Sequence, residues 1–178
     1  TTEQLTGNKL FYYGEGKHYA YFKKGTTVQL NSNGKVRSGV LSKNAILYMC
    51  NNCPVDQARF KKGTEATFAD GYVRSGTLGE TLVLYMTERR HAYFRTGYEV
   101  EFYPGGWVKS GMLHSTEHLY YDKDKTAVFM EGQEVSFNEE GYIQSGTLAQ
   151  SVSLPTPNGH ESFGAGSYVE FRNGKAMQ

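Results

Sequence analysis

Only four prolines, two cysteines and one tryptophan occur in the 178 residues, and the net charge is just +1. So little proline excludes collagen and Pro-rich linkers. Two cysteines cannot by themselves fill the four-ligand shell of a structural zinc site. No run approaches the roughly 18 apolar residues of a membrane helix, and no charged-then-apolar leader is present, so nothing here reads as spanning a bilayer. Helical patterning is missing as well. No window of about a dozen residues carries an uninterrupted i, i+3, i+4, i+7 apolar stripe. A start at Thr1 fits either a processed export product or a trimmed chain.

Glycine and aromatics are plentiful. The chain holds 21 glycines, 14 tyrosines and 10 phenylalanines, with 38% hydrophobic and 21% charged residues. This is a globular composition that favours short strands joined by tight turns.

Aligning the chain against itself reveals one pattern repeated five times. Its anchor, Phe-x-x-Gly, recurs as Phe22/Gly25, Phe60/Gly63, Phe94/Gly97, Phe129/Gly132 and Phe163/Gly166, at spacings of 38, 34, 35 and 34 residues. An apolar pair two apart follows each anchor, as in Val28/Leu30 and Val100/Phe102, and then a glycine turn. The next segment reads Gly34-Lys-Val-Arg-Ser-Gly-Val-Leu41, with counterparts ending at Leu78, Leu113 and Leu148. Six residues after each leucine comes another apolar residue: Leu47, Leu84, Leu119 and Leu154. Repeats of approximately 3–38, 39–75, 76–110, 111–145 and 146–178 therefore compose one β-repeat domain.

The period-two apolar pairs and the glycine turns predict two β-hairpins per repeat. Leu41 lies out of phase with Val36, so one extra residue is needed, and the expectation is a β-bulge with its glycine at Gly39. Small Ser38, Ser75, Ser110 and Ser145 are expected where backbone or a neighbouring repeat approaches closely. The predicted class is all-β: hairpin repeats forming an elongated antiparallel array, with a five-bladed propeller as the alternative.

The spacing of Phe22/Gly25, Gly34 and Gly39 resembles MORN-type and similar bacterial β-hairpin repeats, although MORN units are shorter and favour tyrosine and tryptophan at the anchors. The resemblance implies a structural or interaction role and no catalytic residues.

Recurring residues serve what every repeat needs, so a single site is sought among repeat-specific ones. Cys50-Asn-Asn-Cys53 is a disulfide candidate that, if oxidised, favours an extracytoplasmic or secreted setting. His114-Ser-Thr-Glu-His118 has the letters of an inverted zinc-peptidase motif without its helix. Glu88-Arg-Arg-His91 is an exposed basic turn able to grip a carboxylate or phosphate. Pro155-Thr-Pro-Asn-Gly-His160 replaces the strand pattern near the end. Residues 1–110 carry a net +6 and residues 111–178 a net −5. Arg37, Arg74 and Lys109 hold equivalent positions and form a candidate basic ladder, with Trp107 nearby, for an anionic polymer or glycan. Together with Arg89 and Arg90 these are the candidate ligand-binding residues. A sequence pI near 7.7 argues against nucleic acid. No P-loop, nucleophile elbow, dinucleotide fingerprint or EF-hand is present, and no metal, cofactor or catalytic residue is assigned. The leading expectation is a non-enzymatic, exported bacterial module that contacts a protein or glycan partner, with head-to-tail self-association open to it. The rival is a carbohydrate-active enzyme.

Overall fold

A computed structural model describes residues 1–177. Among them there is no helix, and 21 strands account for the fold. In chain order, β1 (Thr2–Gln4) precedes the hairpin β2–β3 (Lys9–Tyr12, Tyr19–Phe22) and the pair β4–β5 (Thr27–Leu30, Val36–Val40). The same alternation continues with β6–β7 (Ala45–Tyr48, Gln57–Phe60) and β8–β9 (Glu65–Ala69, Tyr72–Thr77). Next come β10–β11 (Leu82–Thr87, Arg90–Phe94), then β12–β13 (Glu99–Phe102, Val108–Met112). The fourth set is β14–β15 (Glu117–Asp122, Lys125–Phe129) with β16–β17 (Glu134–Phe137, Ile143–Thr147). The last is β18–β19 (Val152–Thr156, Gly159–Phe163) with β20–β21 (Tyr168–Arg172, Lys175–Met177).

Five of these pairs remain separate two-stranded hairpins, and the other 11 strands form one sheet. Its order, β1-β4-β5-β8-β9-β12-β13-β16-β17-β20-β21, leaves β1 and β21 as unjoined edges. The sheet is open, which corrects the propeller alternative: consecutive pairs extend one ladder instead of starting new blades.

The chain divides into two compact units, Thr1–Leu82 with Thr96–Gly106, and Val83–Arg95 with the chain from Trp107 onward. In the first, Phe22 and Phe60 are fully buried and bridge Leu41 and Leu78. In the second, Phe94 and Phe129 do the same with Leu113 and Leu148. The core of each unit lies between hairpins and sheet. Phe163 of the last hairpin is only half-buried.

The anchor glycine has a conformational role. Gly63 adopts φ +77°, open to glycine at little cost, and turns its N–H onto the carbonyl of Leu41. Gly25, Gly97, Gly132 and Gly166 repeat this bond to Leu5, Leu78, Leu113 and Leu148, all at 2.7–2.9 Å. A polar side chain completes the turn in four repeats: Asn8, Asn44, Thr81 and Ser151 accept the N–H of Lys24, Lys62, Thr96 and Ala165.

The bulge lies two residues before its expected place. Gln29 faces Ser38 and Leu30 faces Val36, so Arg37 is the unopposed residue. Arg74 and Gln144 are unopposed in the same way. Gly39 is itself core-facing and buried. A Cβ there would come within 2.6 Å of Phe22 Cδ1, so glycine is required for room and not for torsion. Ser38, Ser75 and Ser145 lie opposite Thr67, Glu101 and Glu170 of the following repeat. They face away from the core, and hydroxyls meet across strands, Thr67 with Ser75 at 2.6 Å and Ser136 with Ser145 at 2.5 Å. Pro155 does not break its strand: it pairs with His160 inside β18–β19. A two-stranded ribbon leaves one edge of each strand without a ladder, so a missing N–H is tolerated there.

Tyr13 ends the first hairpin and is 2% exposed. Its ring stacks on Phe68 at 4.5 Å, and its hydroxyl accepts the Tyr48 N–H at 2.9 Å. Burial pushes its ionisation above the ordinary tyrosine range. A raised folded-state value keeps its stabilisation intact below the unfolded value, about pH 10, and loses it as pH rises further. Tyr13→Phe is therefore expected to lower stability by about 1–3 kcal/mol at neutral pH, through the unpaired amide, and to flatten the loss of Tm above about pH 10. Parallel Tm-versus-pH curves for the two proteins in that range would contradict this account.

Candidate functional site

In the second unit, the two-residue turn Glu88-Arg89 joins β10 to β11. The Thr87 hydroxyl fixes it by accepting the N–H groups of Arg89 at 3.3 Å and Arg90 at 3.1 Å. A second turn approaches from the sheet. Asn138 closes it by accepting from Glu140 and Tyr142 N–H at 3.0 and 3.1 Å. At its apex Gly141, at φ +83°, lies against the backbone of Met86, where a Cβ would meet the carbonyl oxygen at 3.0 Å. The docked turns enclose a cleft of about 560 Å³ lined by Glu88, Arg89, Arg90, Trp107, Glu139, Glu140 and Tyr142 with Met86 and Thr87.

The two arginines have different roles. Arg90 is sandwiched, its guanidinium 4.4 Å from the Tyr120 ring centre and 4.8 Å from that of Tyr142. Cation–π contact with both rings makes it part of the wall. Arg89 is exposed, as are Glu88, Glu139 and Glu140. Trp107 is half-buried. The cleft thus combines an indole, a phenol ring, one available guanidinium and three solvated carboxylates, which serve as hydrogen-bond donors and acceptors around an aromatic wall.

The first unit contains a counterpart of the Arg90 sandwich. His18, four residues before its anchor phenylalanine as Arg90 is before Phe94, stacks parallel to Tyr48 at 4.6 Å and meets Tyr72 edge-on at 5.4 Å. Its Nδ1 donates to the Gly71 carbonyl at 2.8 Å. Sequence reading missed this plug. The signal was the joint occurrence of a cationic or imidazole side chain four before the anchor with a tyrosine directly after the hairpin-turn glycine of the following repeat.

Of the sequence-selected residues, Arg89, Arg90 and Trp107 come together at one cleft. The ladder residues are not alike. Arg37 is exposed and donates to Gln29 at 3.0 Å, whereas the Arg74 side chain is 16% exposed and lies 3.6 Å from the Asp70 carboxylate. Lys109 is exposed in β13 of the second unit. Cys50 and Cys53 are disulfide-bonded, their Cα atoms 6.2 Å apart. Cys50 packs where Gly106 turns, so that a Cβ on Gly106 would fall 2.7 Å from its own. Glu117, the acid of the His114–His118 segment, accepts hydrogen bonds from Tyr93 N–H and the Ser115 hydroxyl. Among the described residues no group of three or more His, Cys, Asp or Glu is arranged to hold a metal, and no helix is long and apolar enough to cross a membrane.

Comparison with known proteins returns no match to a family model, a curated relative or a solved structure.

Proposed function

We propose that the chain is a non-enzymatic β-repeat binding module, exported from a bacterium, that contacts a glycan through the Trp107 cleft. The supporting observation is convergence. Arg89 and Trp107, which no repeat requirement explains, border the same cleft as Tyr142 and three exposed carboxylates. Sugar rings stack on aromatic faces, and their hydroxyls use donors and acceptors of both kinds. The MORN-like resemblance points in the same direction, toward interaction. The Cys50–Cys53 disulfide fits an oxidising compartment.

Titration calorimetry with neutral gluco-, xylo- and chito-oligosaccharides tests the reading. One class is expected to bind, and Trp107→Ala to weaken it by about tenfold or more, as loss of a central aromatic does. No binding by the native protein, or binding indifferent to Trp107→Ala, overturns the glycan reading and leaves a protein partner. Appearance of new reducing ends during incubation overturns the non-enzymatic part.

A further inference from the structure

The first hairpin carries aromatic residues on both faces. Strand alternation sends Phe11, Ala20 and Phe22 into the core and turns Tyr12, Tyr19 and Tyr21 outward, where they are 48%, 38% and 37% exposed. Repetition does not explain the outward ring of Tyr19, although that of Tyr21 has an exposed counterpart in Tyr93. Where this hairpin has Tyr19 the others have Gln57, His91, Thr126 and His160. Tyr12 and Tyr19 are cross-strand partners with ring centres 5.5 Å apart, and Tyr19 meets Tyr21 at 6.3 Å. An exposed row of rings this close together is a surface with an unmet contact.

The row borders a cleft of about 470 Å³ running from β3 to β6, whose lining includes Tyr19, Tyr21 and Ile46. Ile46 is itself 46% exposed. Lys17, Lys43 and Arg59 also line the cleft, and no carboxylate does. Among the described residues none of the three cations takes part in an ion pair. Lys43 is held in place instead, its Nζ 4.0 Å from the Tyr21 ring centre. Its equivalents are Gly7, Glu80, Ser115 and Gln150, so this cation is also particular to one repeat. Glu80 is engaged with the Arg59 backbone N–H at 2.8 Å.

Cations with no carboxylate partner beside a solvent-facing row of rings define the missing ligand. We infer that this face binds an acidic polysaccharide, a chain of uronate-type sugars whose rings lie on Tyr19 and Tyr12 while their carboxylates reach Lys43, Lys17 and Arg59. An ammonium already placed over Tyr21 is oriented before the ligand arrives, which reduces the ordering cost of binding. The site lies in the first unit and is independent of the Trp107 cleft.

Calorimetry with oligogalacturonate, at low and moderate salt, supplies the test, with malto-oligosaccharide and poly-glutamate as comparison probes. Oligogalacturonate is expected to bind, more weakly as salt rises. Tyr19→Ala with Tyr21→Ala is expected to lower affinity at least tenfold, while Tyr21→Phe leaves it unchanged. Lys17→Gln with Lys43→Gln is expected to weaken binding and flatten its salt dependence. Trp107→Ala is expected to have no effect on this titration, which separates failure here from failure at the other cleft. All positions changed in the first unit are exposed, and unaltered circular dichroism and Tm confirm that each variant is folded. The inference is overturned by no binding of oligogalacturonate, by equal binding of the neutral sugar, by equal binding of poly-glutamate, or by affinity indifferent to loss of the two rings.

Discussion

Phe60→Ala is expected to destabilise the protein by about 3–5 kcal/mol, read from urea unfolding as a lowered midpoint. The ring is fully buried, and its backbone bridges Leu78 at the junction of hairpin and sheet. Removing it deletes buried surface and leaves a cavity whose floor is the backbone of Gly76, which cannot move in without breaking the β9 ladder. That rigidity places the expected cost in the upper range for such truncations. Repeat proteins sum local stabilities and nearest-neighbour terms. The loss is therefore expected first in amides of β6–β9, ahead of those in β18–β21. A loss below about 1.5 kcal/mol would mean that the site collapses and that Phe60 is not the anchor described here.

The second large effect is at Gly76. A Cβ there would sit 2.6 Å from Phe60 Cδ1 and 3.0 Å from Cε1, against a ring that is fully buried. Gly76→Ala alone is expected to cost about 1–3 kcal/mol as an overpacking change. In a Phe60→Ala background the added methyl enters the vacated space, so the same substitution becomes neutral or mildly stabilising. The double-mutant cycle is expected to show a coupling of at least about 1 kcal/mol. Gly63→Ala is the control: its cost comes from φ +77° and a Cβ there meets nothing within 4 Å, so Phe60→Ala does not relieve it. Additive costs at Gly76 and Phe60 would show that the glycine is retained for another reason.

These two glycines also mark the limit of sequence reading for the fold. The repeat, the hairpins and the phenylalanine anchors were legible because each recurs at fixed spacing, and recurrence averages out local exceptions. The bulge was misplaced because an apolar count cannot see a glycine that faces the core. With no side chain, Gly39 looked like the irregular residue, while Arg37, the residue left unopposed, looked like an ordinary outward position. The turn-closing side chains were hidden by chemistry of a different sort: Asn8, Asn44, Thr81 and Ser151 share an acceptor oxygen and no letter pattern.

The candidate site was legible only as separate parts. Arg89, Arg90 and Trp107 stood out as particular to their repeats, yet their convergence depends on Gly141 bringing the Asn138–Tyr142 turn against Met86. Arg90 read as exposed because the rings that enclose it, Tyr120 and Tyr142, lie 30 and 52 residues further along. Tyr19 and Tyr21 passed unnoticed among 14 tyrosines, since only burial distinguishes a ring that fills the core from one that faces solvent.

The hydrogen bond from each anchor glycine to its leucine carbonyl has a use in solution. Loop amides ordinarily trade their hydrogens for deuterium first, whereas these five are held, one in each repeat, by a partner at 2.7–2.9 Å. Each is released only when its own repeat opens. Five glycine signals, which fall in an uncrowded region of an amide spectrum, therefore time the opening of five repeats separately and give the order of unravelling without any label attached to the chain.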